Sequence, residues 1–168
     1  MPAFSAGLML GGLLSGVIAG IAGGLLSVLP YAWRLGILAV PLAIIMVFEL
    51  AGRPLSLPQN RRLVPQEIIP RHSFDGPFQF GFEMGTGVRT YSPTALPHAL
   101  VLVIALLGGL GPGVLAGLGF GFGRILMPYV RSRAADAHEW DGVLLSTLPW
   151  LGRVCAAGFV LALTLILW

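Results

Sequence analysis

Residues 6–29 read AGLMLGGLLSGVIAGIAGGLLSVL, a stretch that carries no charged side chain. A helix crossing a bilayer needs roughly 20 predominantly apolar residues, and this stretch supplies them. The preceding Met1-Pro2-Ala3-Phe4-Ser5 lacks Lys and Arg. A secretory signal would need a basic leader and a shorter apolar core, so the segment reads as a retained spanning helix. It runs into Pro30-Tyr31-Ala32-Trp33-Arg34, where aromatic rings and a cation mark a membrane–water interface.

Composition extends that reading to the whole chain. Its 168 residues are 56% hydrophobic and 10% charged, with a mean hydropathy of +0.87. A soluble domain carries about 25% charged residues, too many for this chain to resemble. The expected fold is an all-α polytopic membrane bundle forming a single domain over residues 1–168, with the lipid bilayer as its first partner. The cations are all arginine and gather in loops. No basic stripe of the kind that binds nucleic acid is present.

A second span is expected from Leu35 to Ala51, kinked by Pro41 and closed by Pro54. Glu49 and Arg53 stand four apart, the favourable order for a helical ion pair. From Gly52 to Pro77 the chain turns polar, with Pro54, Pro58, Pro65, Pro70 and Pro77 excluding a regular helix. A third span covers Pro93 to Leu107. The stretch before it, Phe78 to Ser92, is either the other half of one proline-broken helix or a separate segment, giving five spans or six. A turn over Gly108–Pro112 leads to a glycine-rich span, Gly113–Val130. After a polar stretch, Arg131–Asp141, the last span runs from Trp150 to Trp168. Those two tryptophans would stand about 27 Å apart on a helix rising 1.5 Å per residue, close to the hydrocarbon thickness, with Arg153 snorkelling to the nearer surface.

Arginine placement orients the spans. Arg53, Arg61, Arg62 and Arg71 lie in the 52–77 loop and Arg131 and Arg133 in the later one, against Arg34 on the other side. The positive-inside rule makes the two richer loops cytoplasmic. The N-terminus is then inside a cell (inner or plasma) membrane.

Two glycine ladders carry four-residue spacing: Gly12, Gly16, Gly20, Gly24 and Gly109, Gly113, Gly117, Gly121. Each falls on one helix face, where missing side chains let helices approach closely. Close packing and a sliding surface in a transporter are both consistent with that spacing. Charges within spans are expensive unless paired or facing water. Glu49, Glu83, Arg89 and Arg124 are expected at similar depth as a polar cluster, either locking helices or forming a site suited to an anion. His98 follows Pro97 near the bilayer centre, as a packed hydrogen-bonded histidine or as a proton relay. His72 and His138 share no ligand spacing with it, so neither a metal nor a cofactor is expected. Cys155 is alone and reads as a small buried hydrophobe. No GxSxG elbow, P-loop, HExxH or dinucleotide fingerprint occurs, so no catalytic residue is assigned.

Gly85-Thr86-Gly87-Val88-Arg89-Thr90-Tyr91-Ser92-Pro93-Thr94-Ala95-Leu96-Pro97 resembles a kinked element of the thiol-reductant-conducting membrane proteins of cytochrome c biogenesis and disulfide reduction. That group places Thr-Pro-Cys after its glycines, and the cysteines pass electrons. This chain has Tyr91, Ser92 and Pro93 there, so the resemblance implies a related scaffold without its redox chemistry.

Two functions remain open. One is a small-solute or ion transporter subunit using Glu83, Arg89, Tyr91, His98 and Arg124. The other is a non-catalytic scaffold or partner subunit, homo-oligomeric or docked on another membrane protein through the 52–77 loop and the glycine faces. A membrane-embedded enzyme would use the same polar cluster, but no nucleophile converges on it.

Overall fold

The computed structural model describes residues 2–53, 55, 74–87 and 94–167, and among these there is no strand. The helices are α1 (Pro2–Leu26), α2 (Tyr31–Leu50), α3 (Asp75–Gly85), α4 (Leu96–Leu107), α5 (Leu110–Arg133) and α6 (Ala137–Leu167). Four of them, α1, α2, α5 and α6, are long and apolar enough to cross a membrane.

Helix α1 is the axis of the bundle, and glycine makes it so. On one face a Cβ added to Gly12 would lie 2.4 Å from the Gly117 carbonyl oxygen, and one on Gly16 would lie 2.1 Å from that of Gly113. Gly20 faces Gly109 and Leu110 in the same way. Rising numbers on α1 meet falling numbers on α5, so the two helices are antiparallel. On another face Gly7 and Gly11 meet the backbone of α3 at Phe78–Thr86, while Gly81 and Gly85 return the approach against Phe4 and Leu8. Here the numbers rise together, so α3 runs parallel to α1. Gly23 closes against Ile104 and Gly108 at the end of α4. Gly24 and Gly109 differ from the rest of the ladders, because a Cβ on either would meet nothing within 4 Å.

Helices α3 and α4 are each too short to span. The first lies beside the opening half of α1 and the second ends beside its closing turns, so together they take the place of one span interrupted near its middle. Helix α4 also packs antiparallel on α2, where Ile45 and Met46 bury Ala95 and Ala99 with Leu42, Leu55, Leu96, Leu102 and Phe159 around them.

The interior consists mostly of glycine and alanine, and among the largest side chains Leu8 and Leu38 are fully enclosed. The big apolar side chains point outward, with Val28 88% and Leu25 73% exposed. Such an outside suits hydrocarbon solvent, in which close backbone approach and not apolar burial drives helix association.

Several sequence expectations are corrected. Helix α6 begins at Ala137, well before Trp150, because Asp136 starts it: its Oδ1 accepts the N–H of His138 at 2.7 Å and of Glu139 at 3.3 Å, as an N-cap does. The connection from α5 therefore shrinks to Ala134–Asp136. Helix α3 begins at Asp75, inside the stretch expected as loop. Pro77 is tolerated there because first-turn N–H groups have no helical acceptor. Cys155 is exposed on α6, not buried. Glu49 and Arg53 form no ion pair among the described residues; the Glu49 carboxylate turns to α4. Most of the 52–77 loop lies outside the described residues.

Candidate functional site

An interrupted span in a membrane raises one problem above others. The last carbonyls of its first half and the first N–H groups of its second have no helical partners, and hydrocarbon supplies none. Charged side chains from neighbouring helices meet these groups.

At the end of α3, the Thr86 N–H donates to the Phe82 carbonyl at 3.0 Å and the Thr86 hydroxyl to the Glu83 carbonyl at 2.8 Å. Arg124 of α5 reaches across with Nη1 to donate to the Met84 carbonyl at 2.8 Å. Ser15 of α1 donates through Oγ to the Thr86 carbonyl at 2.8 Å. Gly87, at φ 70°, then turns the chain out of the helix, as left-handed glycines do after a C-cap. A guanidinium at a helix C-terminus also meets the negative end of the helix dipole. The Arg124 head lies 4.8 Å from the Phe120 ring centroid, a cation–π contact that offsets part of its desolvation.

At the start of α4, Glu49 of α2 accepts the Ala95 N–H, a carboxylate at the positive end of a helix. Pro97 in the first turn has no N–H to satisfy. At the far end of α4, Arg34 Nη1 donates to the Leu106 carbonyl at 3.2 Å, with its guanidinium 5.8 Å from the Tyr31 ring centroid. Both ends of α4 and the end of α3 are thus met by ions of the complementary sign. The acid and both bases come from the uninterrupted helices α2 and α5.

Beside the interruption lies a cavity of about 870 Å³. Gly12, Ser15 and Ala19 of α1, Ile45 of α2, His98 of α4 and Phe120 of α5 are among its lining residues. Among the described residues its walls are apolar apart from Ser15, Thr86 and His98. The volume falls in the range of small-molecule sites, about 300–1,000 Å³. It exists because glycine and alanine line α1 at the level where α3 stops and α4 starts.

Two of the residues expected in one polar cluster, Glu83 and Arg124, meet at the end of α3. Arg124 reaches α3 one residue from Glu83, and Glu83 accepts a hydrogen bond from Gln79 Nε2 at 3.5 Å. Glu49 serves α4 instead. Arg89 and Tyr91 lie outside the described residues. His98 stands in the first turn of α4 on the cavity wall. Sequence reading missed Ser15, Thr86 and Arg34 as members of this region. The signal for Ser15 is a hydroxyl inside a charge-free span. Arg34 reads from sequence alone as an interfacial anchor.

The stretch Gly85–Pro97 runs from the end of α3 to the start of α4, with residues 88–93 outside the described part. No group of three or more His, Cys, Asp or Glu able to hold a metal occurs among the described residues. Searches of protein-family models, curated proteins and solved structures match nothing to this chain.

Proposed function

We propose that the chain is a small-solute transporter subunit of the cell (inner or plasma) membrane, and that its solute path crosses the cavity at the interruption between α3 and α4. One observation carries the reading. A cavity of about 870 Å³ sits where helical backbone stops and restarts, the kind of place at which interrupted helices of many transporters form their sites. The apolar wall favours a solute with a mainly apolar body. Glu83, Arg89, Tyr91, His98 and Arg124 stand as candidate pathway residues, with Ser15 and Thr86 added by their place on the wall. The N-terminus is cytoplasmic in this reading, because the arginine-rich loops, 52–77 and that after α5, then face inward.

Helix α6 favours a second reading. It is 31 residues long and leaves Leu145, Trp150, Leu161 and Leu165 exposed, a surface along which another membrane subunit could pack. The two readings separate on purification from native membranes in mild detergent, followed by mass spectrometry of what co-elutes. Transport expects a bound small molecule on the chain alone or on copies of it. A stoichiometric second protein with no small molecule would replace transport with the partner-subunit function.

A further inference from the structure

Among the described residues three polar side chains line the cavity, and two are already engaged. Ser15 Oγ donates to the Thr86 carbonyl, and Thr86 Oγ1 donates to the Glu83 carbonyl. His98 differs: its Nδ1 is buried and has no hydrogen-bond partner among the described residues. A neutral imidazole carries its single proton on one nitrogen and a lone pair on the other. An enclosed N–H without an acceptor is worse placed than an unfilled lone pair, so the proton belongs on Nε2. The ring is half-buried. His98 lines the cavity and its Nδ1 is enclosed, which leaves Nε2 as the ring nitrogen able to meet an occupant.

We infer that the cavity takes a lipophilic molecule bearing one hydrogen-bond-accepting oxygen, such as a ketone or ester carbonyl, and that His98 Nε2–H holds that oxygen. The walls supply apolar surface for the body of the molecule. The imidazole supplies a single directional contact, a combination typical of small-molecule sites. A donor set among apolar side chains gains more from an acceptor than it would in water. An anion is a poorer occupant, because no cation is among the described residues lining the cavity and Arg124 is committed to the Met84 carbonyl and a further contact. The inference rests on the solute-site reading of the cavity and names the chemistry of its occupant.

The test uses the full chain in maltoside micelles with histidine labelled in its ring nitrogens. Only His72, His98 and His138 contribute, and the His98 signals are those that remain when the other two are changed to Gln. Two probes of nearly equal shape are titrated, 2-acetylnaphthalene and 2-ethylnaphthalene, the second lacking the oxygen. Expected are an Nε2–H tautomer in the free protein, a saturable shift of that resonance with the ketone, and about tenfold tighter binding of the ketone, the equivalent of roughly 1.4 kcal/mol. His98→Leu should remove that difference while keeping the hydrocarbon's affinity. Should that variant fail to fold, the two probes on the unmodified chain decide alone. An Nδ1–H tautomer, an unmoved resonance or equal affinities would overturn the inference. Binding here needs no gradient. Ketone binding without flux would therefore sink transport alone, and flux indifferent to His98 would sink this inference alone.

Discussion

Replacing Gly117 by alanine places a methyl group between two backbones. Its Cβ would stand 2.3 Å from the Gly12 carbonyl oxygen and 3.0 Å from the Gly16 Cα. Ordinary contact begins near 3.4 Å, so the first distance is short by about 1.1 Å. Neither obstacle is a side chain that could rotate away. Nor can α1 retreat freely, because Gly7 and Gly11 hold its other face against α3. Relief therefore requires α5 to move out along much of its length. That loosens the approaches at Gly12, Gly16 and Gly20, where each glycine Cα–H points at a facing carbonyl. Such contacts contribute about 0.5–1 kcal/mol each, and overpacking costs about 1–3 kcal/mol. We expect Gly117→Ala to destabilise the fold by about 2–3 kcal/mol on these grounds. Gly119, two residues on, is the control: a Cβ there meets nothing within 4 Å, and alanine gains up to about 1 kcal/mol of helix propensity. Unfolding by increasing SDS fraction in mixed micelles, followed by tryptophan fluorescence, measures both. A Gly117→Ala protein as stable as the unmodified chain, or a Gly119→Ala protein equally weakened, would refute the packing argument.

Other outcomes follow from the helix ends. Arg124→Leu should cost about 1.5–3 kcal/mol by removing a hydrogen bond from a charged donor, leaving the Met84 carbonyl with the Gly87 N–H at 3.3 Å alone, while Arg124→Lys keeps part of the contact; the same SDS titration ranks them. Glu49→Gln retains an oxygen for the Ala95 N–H and should stay near the unmodified stability, whereas Glu49→Leu should lose about 1–3 kcal/mol. Equal stability of the two would show that this acceptor is dispensable. With Cys155 changed to Ala, a thiol at position 132 in place of Ser132 should react with a membrane-impermeant maleimide only from the cytoplasmic side. One replacing Ser27 should react only from the other, and the reverse pattern would invert the proposed orientation.

Much of the architecture is legible in the residues, and what escapes has identifiable causes. Long charge-free runs such as residues 6–29 announce their helices, because a bilayer leaves few other uses for them. The start of α6 was also legible, since Asp136 followed by Glu139 is a helix-start pattern; polarity alone made that stretch read as a loop. The four-residue glycine spacing shows that a face is bare but not what lies against it. Nothing in Gly7 or Gly11 names α3 as their neighbour, because that choice is made by the fold as a whole. The charges were harder still. Glu49 has Arg53 at ideal helical spacing yet turns to a backbone N–H of α4, distant in sequence. A proximity rule within one helix cannot see an unsatisfied helix end on another. For the same reason nothing in the sequence points to the carbonyl that Arg124 meets.

The central claim is that a solute crosses at the cavity beside the interrupted span. Proteoliposomes holding the unmodified chain, incubated with a small-molecule extract of the source cells, washed and analysed by mass spectrometry, test it most directly against vesicles holding Ala116→Trp. Ala116 lines the cavity, and an indole in its place narrows the path. The account predicts a chemically related set of solutes inside the unmodified vesicles that is missing from the plugged ones. Identical contents in the two, with both proteins folded and inserted, would contradict it.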